Sequence, residues 1–415
     1  MKQFGLIGER LGHSHSKTLH GFLADYAYDL WPMPPEKVDA FMRNGTFDGM
    51  NVTIPYKKTV IPYLAEIGPT ARRIGAVNTI VRRADGSLYG DNTDACGMME
   101  MARRAGIDFR GEKTLVLGSG GTCLTACDVV RENGGTAVVV SRHGESNYDN
   151  LFLHKDAAYI INTTPLGMYP HPHAQAVDLR EFPRLRGVLD VVYNPLRTQL
   201  MTQAEELGIP CEGGLSMLIH QGVKACEIFE GKPVPKERVV QAERALRRSI
   251  TNLVLIGMPG CGKSTIGEKL ARLLDMPLVD IDAEIAKEAC MTIPEIFAKE
   301  GEAGFRRRER EQITRFGSVG GNVLVTGGGA VKDPMNRTYL RMNGYVAHIT
   351  RSLDMLSMEG RPLSQSREAL QAMWQERKPL YEACRDADFA NDGTVDTCVQ
   401  TIKEAFDEAL CAERS

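Results

Sequence analysis

Two short apolar runs, Thr114-Leu115-Val116-Leu117 and Asn252-Leu253-Val254-Leu255-Ile256, each lead into a glycine-rich turn and then into a stretch with apolar residues at helical spacing. That order predicts strand, tight turn and helix at two separate places on the chain. Further strands are predicted at Phe4–Ile7, Gly49–Thr53, Asn78–Val81 and Thr136–Val140, with a helix near Gly97–Ala105. Beyond the second glycine turn come an amphipathic helix over Ile266–Leu274, an apolar run ending in Val279-Asp280-Ile281-Asp282, and another at Val323–Thr326. Val399, Ile402, Phe406 and Leu410 recur at helical spacing, so residues 396–412 read as a packed helix. The whole is an α/β pattern without repeats or low-complexity tracts.

A boundary is visible where Gly231-Lys232-Pro233-Val234-Pro235 gives way to a charged helical stretch, Lys236–Arg248, just before the second strand-turn-helix unit. The predicted linker is 246–250. A length of 415 residues fits two or three domains of ordinary size. With 43% hydrophobic and 25% charged residues and a net charge of −3, there is no basic excess of the kind that binds nucleic acid by neutralising phosphates. The ten cysteines form no CxxC pair and no zinc-spaced cluster, and no long apolar segment follows the N-terminus. A cytoplasmic chain with reduced thiols and no membrane partner is expected.

The two glycine turns differ in what they grip. GMPGCGKST, Gly257 to Thr265, satisfies the full G-x-x-x-x-G-K-[ST] pattern, in which Lys263 brings a point charge to β/γ-phosphates and Ser264 a hydroxyl to Mg²⁺. Gly260, Cys261, Gly262 and Thr265 belong to the same loop. GSGG, Gly118-Ser119-Gly120-Gly121, has no lysine; its spaced glycines let the backbone approach a pyrophosphate, as Rossmann-like dinucleotide folds require. Two nucleotide sites and two chemistries follow.

Polar residues crowd the strand ends of the first 95 positions: Ser14, Ser16, Asn51, Thr53, Lys57, Asn78, Asn92, Thr93 and Asp94. Two readings stand. Lys57 and Asp94 can converge as a proton-transfer pair, or NVTIPYK and GDNTD can be turns with local side-chain caps. The order GHSHS (12–16), NVTIPYK (51–57), GAVNT (75–79), GDNTD (90–94), GSGG (118–121), SR (141–142), NTTPLGM (162–168), DVVYNP (190–195) and GGLSMLIHQG (213–222) resembles shikimate dehydrogenase over residues 1 to about 245. The resemblance implies that Lys57 and Asp94 are the catalytic pair, and that Ser14, Ser16, Thr53, Asn78, Asp94, Tyr193 and Gln221 hold a small cyclic acid. It implies a bilobal enzyme: a substrate lobe, 1–95 completed by 214–245, and a Rossmann-like lobe, 96–213, where Gly118–Gly121, Ser141, Arg142, Val191 and Gly214 meet the cofactor.

The strand Thr136–Val140 ends in Ser141-Arg142, where NAD-binding folds usually present a carboxylate to the ribose hydroxyls. An arginine there favours a 2′-phosphate, so NADP(H) is the expected cofactor. A second basic residue that the family often has is replaced by Ser146, and the run from Arg142 to Asn162 is short for the family, as though part of a helix-strand unit were missing.

In the second half, GMPGCGKST, the Val279–Asp282 run, GEAGFRRRE (301–309), Gly327-Gly328-Gly329, GRPL (360–363) and ERKPLY (376–381) follow in an order that resembles shikimate kinase over residues 250–415. That domain, 251–415, is expected to be a P-loop fold with a parallel sheet. The resemblance implies that Lys263 steadies the transferring phosphoryl of ATP, Ser264 and Asp280 serve Mg²⁺, and Asp282 helps deprotonate the attacking hydroxyl. Arg306 and Arg377 are implied to clamp the substrate carboxylate, Gly328 to offer backbone, and Arg361 to reach ATP from a lid. The lid region, Arg351–Gly360, is short for the family and lacks an additional arginine. The product of the first reaction is the substrate of the second, so a bifunctional enzyme is expected: 3-dehydroshikimate to shikimate, then to shikimate 3-phosphate. A non-catalytic sensor is one rival, against which the presence of Lys57, Asp94, Lys263 and Asp282 argues; the closer rival is an enzyme with one degenerate half, the dehydrogenase with its trimmed nucleotide lobe.

Overall fold

The computed structural model describes residues 2–12, 14–356 and 367–411. The chain divides into two compact units. The first runs to Tyr193 and includes Thr198–Leu246; the second begins at Arg247 and includes Asn194–Arg197. The segment 246–250, expected to be a linker, is the last turn of a helix, Lys236–Ile250, whose Leu246 and Ile250 are buried. Apolar residues at helical spacing carried the helix through the boundary.

The first unit holds two sheets. In the substrate-side lobe the strands are β1 (Gln3–Gly8), β2 (Ala27–Pro32), β3 (Gly49–Val52), β4 (Glu66–Ile67), β5 (Thr79–Arg82) and β6 (Leu88–Asp91), in the order β2-β1-β3-β5-β6-β4. β1 pairs in parallel with β2 and β3, whereas β5 runs antiparallel to β3 and β6. Ile7, Met50, Val52, Val60 and Ile80 pack its core. The β5–β6 hairpin delivers the chain to the helix Asp94–Arg104, which spans the 95/96 boundary drawn from the sequence.

The second sheet, β7 (Lys113–Leu117), β8 (Thr136–Val140), β9 (Tyr159–Asn162), β10 (Gly187–Asp190) and β11 (Cys211–Gly213), is wholly parallel in the order β11-β10-β9-β7-β8. Strands covered on both faces need apolar residues at successive positions. Accordingly Val116 faces Met98, Met101 and Val130, while Leu115 and Leu117 face Val177, Leu179 and Phe182. The short connection from β8 to β9 contains only a 3-10 turn, Leu151–His154, and covers the second face with Tyr148 and Leu151 instead of a full helix. The missing element expected from the short Arg142–Asn162 run is thus a helix.

The second unit is a parallel sheet of β12 (Asn252–Ile256), β13 (Leu278–Asp280), β14 (Val323–Val325), β15 (Gly344–Thr350) and β16 (Ala387–Ala390), ordered β13-β14-β12-β15-β16. β12, with all five residues buried, lies at the centre. In both parallel sheets the strand before the glycine turn has neighbours reached by crossovers in opposite directions. That arrangement opens a crevice at the carboxyl ends of the strands, where ligands bind in such sheets. The helix Val395–Cys411 buries Val399, Ile402, Phe406 and Leu410, the positions its periodicity singled out. All ten cysteines are free, and no helix among the described residues is long and apolar enough to cross a membrane.

Candidate active sites

In the first unit a cleft of about 430 Å³ is lined by Ser14, Ser16, Thr53, Lys57, Asn78, Asp94, Tyr193 and Gln221, all eight residues the sequence assigned to substrate or catalysis, and by Val191 and Gly214. Its chemical centre is an ion pair: Lys57 Nζ lies 2.6 Å from Asp94 Oδ2. Several local devices hold it. Tyr56, buried, donates its hydroxyl to Met33 O at 2.5 Å and pins the loop that carries Lys57. Asp94 opens the helix Asp94–Arg104, where the helix dipole favours a carboxylate. Its own N–H donates to Asn92 Oδ1 at 3.0 Å. Asn78 Nδ2 donates to Asp94 Oδ1 at 2.8 Å, and Asn78 Oδ1 accepts from the Thr93 N–H at 2.7 Å. The turn reading of GDNTD is thus compatible with the catalytic one: the caps orient the carboxylate.

Asn51 also lines the cleft and was not among the assigned site residues. It is buried, accepts from the Tyr28 hydroxyl at 2.7 Å and donates to Thr79 Oγ1 at 3.1 Å. Its place at the head of NVTIPYK was the available signal. Burial drives the pKa of nearby His20 down to about 3, so this ring is neutral and stacks on Tyr28 at 4.0 Å between centroids.

The glycine turn of the same unit follows β7. Gly118 has φ 114°, and a side chain there would meet Thr163 Oγ1 at 2.8 Å. Ser119, Gly120 and Gly121 are exposed, with open space over both glycines, so backbone N–H groups at the start of the helix Gly121–Glu132 are free to face a pyrophosphate. Gly214 packs directly on Val191, whose carbonyl oxygen a Cβ would meet at 2.0 Å. Ser141 and Arg142 sit just past β8. Ser141 N donates to Ser146 O at 3.1 Å. Arg142 is exposed, and among the described residues no hydrogen bond or ion pair engages it. Ser146 bonds His154 Nε2 at 2.9 Å. The donor set fits a dinucleotide with one arginine available to a 2′-phosphate.

In the second unit Gly260, Gly262, Lys263, Ser264, Thr265, Asp280, Asp282 and Gly328 line a cleft of about 370 Å³. Lys263 Nζ donates to the carbonyls of Gly257 and Met258 at 2.9 and 3.0 Å, a resting position from which a phosphate can draw it. Ser264 Oγ lies 3.3 Å from Asp280 Oδ2, while Asp280 Oδ1 caps the helix Ile281–Ala289 through the N–H groups of Asp282 and Ala283. A hydroxyl beside a carboxylate suits Mg²⁺, whose remaining ligands come from water and phosphate. Cys261 does not line this cleft. It is fully buried, with its carbonyl accepting from Asn391 Nδ2 at 2.8 Å.

Beyond the phosphate cleft three more charged groups gather around Gly327–Gly329. Arg306 bonds Glu309 at 2.8 Å and Glu302 at 3.2 Å, and its guanidinium crowds the α-carbon of Gly329. Arg377 is buried, and the charges of Arg306, Asp282 and Arg377 all act on Glu309. Glu309 was not among the assigned residues. It is fully buried, and burial raises its pKa to about 7 against the opposing pull of Arg306. Spacing three residues after Arg306, on the same helix face, was the signal. Gly328 is needed for packing, since a Cβ would meet Pro259 at 2.6 Å; its carbonyl accepts from Tyr381 at 2.6 Å, which leaves the N–H for a ligand. Arg361, assigned to ATP, lies outside the described residues.

Family models agree with these two sites. The shikimate dehydrogenase substrate binding domain matches residues 6–80, the shikimate 5′-dehydrogenase C-terminal domain residues 214–242, and shikimate kinase residues 259–407. A shikimate dehydrogenase (NADP(+)) of Clostridium perfringens strain SM101 is 38% identical over 57% of this chain and 95% of its own length. A crystal structure of a chorismate mutase/shikimate 5-dehydrogenase fusion protein from Clostridium acetobutylicum is 33% identical, with a TM-score of 0.56 over 59% of this chain and 97% of that one. Shikimate 5-dehydrogenase from Thermus thermophilus, solved with NADP(H) and shikimate, is 30% identical with a TM-score of 0.54, over 59% and 99%. The chain belongs to the shikimate dehydrogenase family through its first unit and carries a shikimate kinase domain in its second, a bifunctional enzyme of the shikimate pathway.

Proposed function

We propose that the two units catalyse consecutive steps: NADPH-dependent reduction of 3-dehydroshikimate to shikimate, then transfer of the γ-phosphoryl of ATP to the shikimate 3-hydroxyl. One observation carries the reading. A single chain holds an organised Lys57–Asp94 pair in one cleft and an organised Lys263–Asp282 constellation in another, and the families of both clefts share one molecule, shikimate.

In the first site bound NADPH supplies the hydride. Lys57 donates a proton to the oxygen that becomes an alcohol, while Asp94, held by Asn78 and Asn92, fixes the ammonium group and balances its charge. Ser14 and Ser16 hold the carboxylate; Thr53, Tyr193 and Gln221 take hydroxyls. A site that bonds each hydroxyl discriminates against analogues that leave its groups unpaired. Gly118–Gly121 receive the pyrophosphate, Val191 and Gly214 shape the nicotinamide wall, and Ser141 and Arg142 receive the 2′-phosphate.

In the second site Asp282 accepts the proton of the attacking hydroxyl. Lys263 leaves its loop carbonyls for the phosphates, and Ser264 and Asp280 hold Mg²⁺, which offsets charge on the transferring group. Arg306 and Arg377 clamp the carboxylate, which planar guanidinium groups do bidentately. Arg361 meets ATP from the lid.

The test supplies purified protein with 3-dehydroshikimate, NADPH, ATP and Mg²⁺ and follows shikimate and its 3-phosphate. Lys57→Ala should abolish NADPH oxidation yet still phosphorylate added shikimate; Lys263→Ala should do the reverse. Absence of either product from the wild-type chain, or an undisturbed step in its own variant, defeats the reading.

A further inference from the structure

One basic residue of the kinase cleft has no role in the assignments above. Arg351 directly follows β15, the neighbour of β12 in the sheet, with Ile256 paired to His348. The end of β15 and the start of the phosphate loop are in close contact, since a Cβ on Gly257 would meet Ile349 O at 2.4 Å. Arg351 therefore emerges at the rim of the loop, and its side chain lines the same cleft as Lys263 and Ser264.

Arginines elsewhere in this unit are largely engaged: Arg306 with Glu309, Arg308 with Glu300, Arg310 with Asp333, Arg385 with Asp388. Arg377, beyond the phosphate cleft, and Arg351, in its lining, each keep a buried Nε without a hydrogen-bond partner. Among the described residues no carboxylate pairs with Arg351. A buried polar donor left unmade costs stability, and at a ligand cleft the ligand is the natural acceptor. The cleft lining carries Asp280 and Asp282 against Lys263, which is occupied by loop carbonyls.

We propose that Arg351 binds the phosphate chain of the nucleotide in the kinase site, from a fixed strand end and not from the lid. The inference rests on the kinase reading above and adds to it a residue that its motifs do not contain. A guanidinium can take two phosphate oxygens in a fork, and Arg351 presents it directly after the end of β15.

The test uses full-length Arg351→Gln and Arg351→Lys proteins, with the melting temperature of the kinase unit by calorimetry as the measure of an intact fold. Loss of a charge-assisted contact predicts about tenfold to hundredfold weaker binding of ADP and about the same rise in KM for ATP in Arg351→Gln. KM for shikimate should be unmoved, and Arg351→Lys should recover part of the loss. Inorganic tripolyphosphate, as a competitor of ATP, should weaken in parallel with ADP. Tripolyphosphate inhibition that is unchanged while ADP weakens would place the contact on the base or ribose and overturn the proposal. ADP binding within about twofold of wild type would overturn it as well, as would a rise in KM for shikimate alone. If wild-type protein turns over shikimate and ATP while Arg351→Gln is unaffected, only the Arg351 assignment falls; if wild type fails to do so, the kinase reading falls with it.

Discussion

At the scale of single residues, both sites are governed by what holds a charge in place. Asp94 is fixed at both ends, its backbone N–H donating to Asn92 and its carboxylate accepting from Asn78, so the carboxylate meets Lys57 in a set geometry. Glu309 is the opposite case. It is buried with one oxygen bonded to Arg306 and the other, Oε1, without a partner, and its pKa rises from 4.5 to about 7. Between those values the folded kinase unit keeps a proton that the unfolded chain has released. The associated stabilisation is complete below the unfolded pKa and is lost as pH rises through about 7; its upper bound is on the order of 3 kcal/mol. Glu309→Gln, neutral at every pH, should remove that dependence. The melting temperature of wild type relative to the variant should fall between about pH 5 and pH 8; a constant difference by calorimetry would show that Glu309 does not titrate there.

At the scale of elements, glycine turns and strand ends decide where ligands go. Gly118 combines φ 114° with close approach to Thr163 and Thr164, so Gly118→Ala strains the backbone and pushes the loop off β9. The expected result is a rise of at least about tenfold in KM for NADPH, with KM for ATP unchanged, from about 1–3 kcal/mol of strain and displacement. Equal KM values for NADPH in variant and wild type would mean that this turn does not carry the pyrophosphate. The β8–β9 connection shows how a lost helix is tolerated, because Tyr148 and Leu151 still cover the sheet. That covering was not legible in the sequence, where the run looked only too short.

At the scale of the molecule, each unit builds its cleft from its own residues: 6–221 line the first and 259–351 the second. Among the described residues, each lining lies within one unit. A metabolite as small as shikimate diffuses fast enough that the two proposed steps need no direct transfer, so shikimate released from the first site is expected to mix with the free pool before it is phosphorylated. Labelled 3-dehydroshikimate given together with excess unlabelled shikimate should yield 3-phosphate whose label is diluted to the ratio of the free pool. Retention of undiluted label would refute this and show direct transfer.

The sequence by itself determined the α/β class and the two glycine turns, because apolar periodicity and spacing are local properties; most of the groups that line the two clefts were named through the ordered motifs that resemble two families. Phosphate loops are legible locally as well: their function lies in consecutive backbone N–H groups. What tertiary structure decided was convergence. Lys57 and Asp94 are 37 positions apart, Glu309 matters only because Asp282 and Arg377 face it, and Arg351 reaches the phosphate cleft only because β15 lies beside β12. Distances between side chains far apart in the chain are set by packing, and no local pattern encodes them.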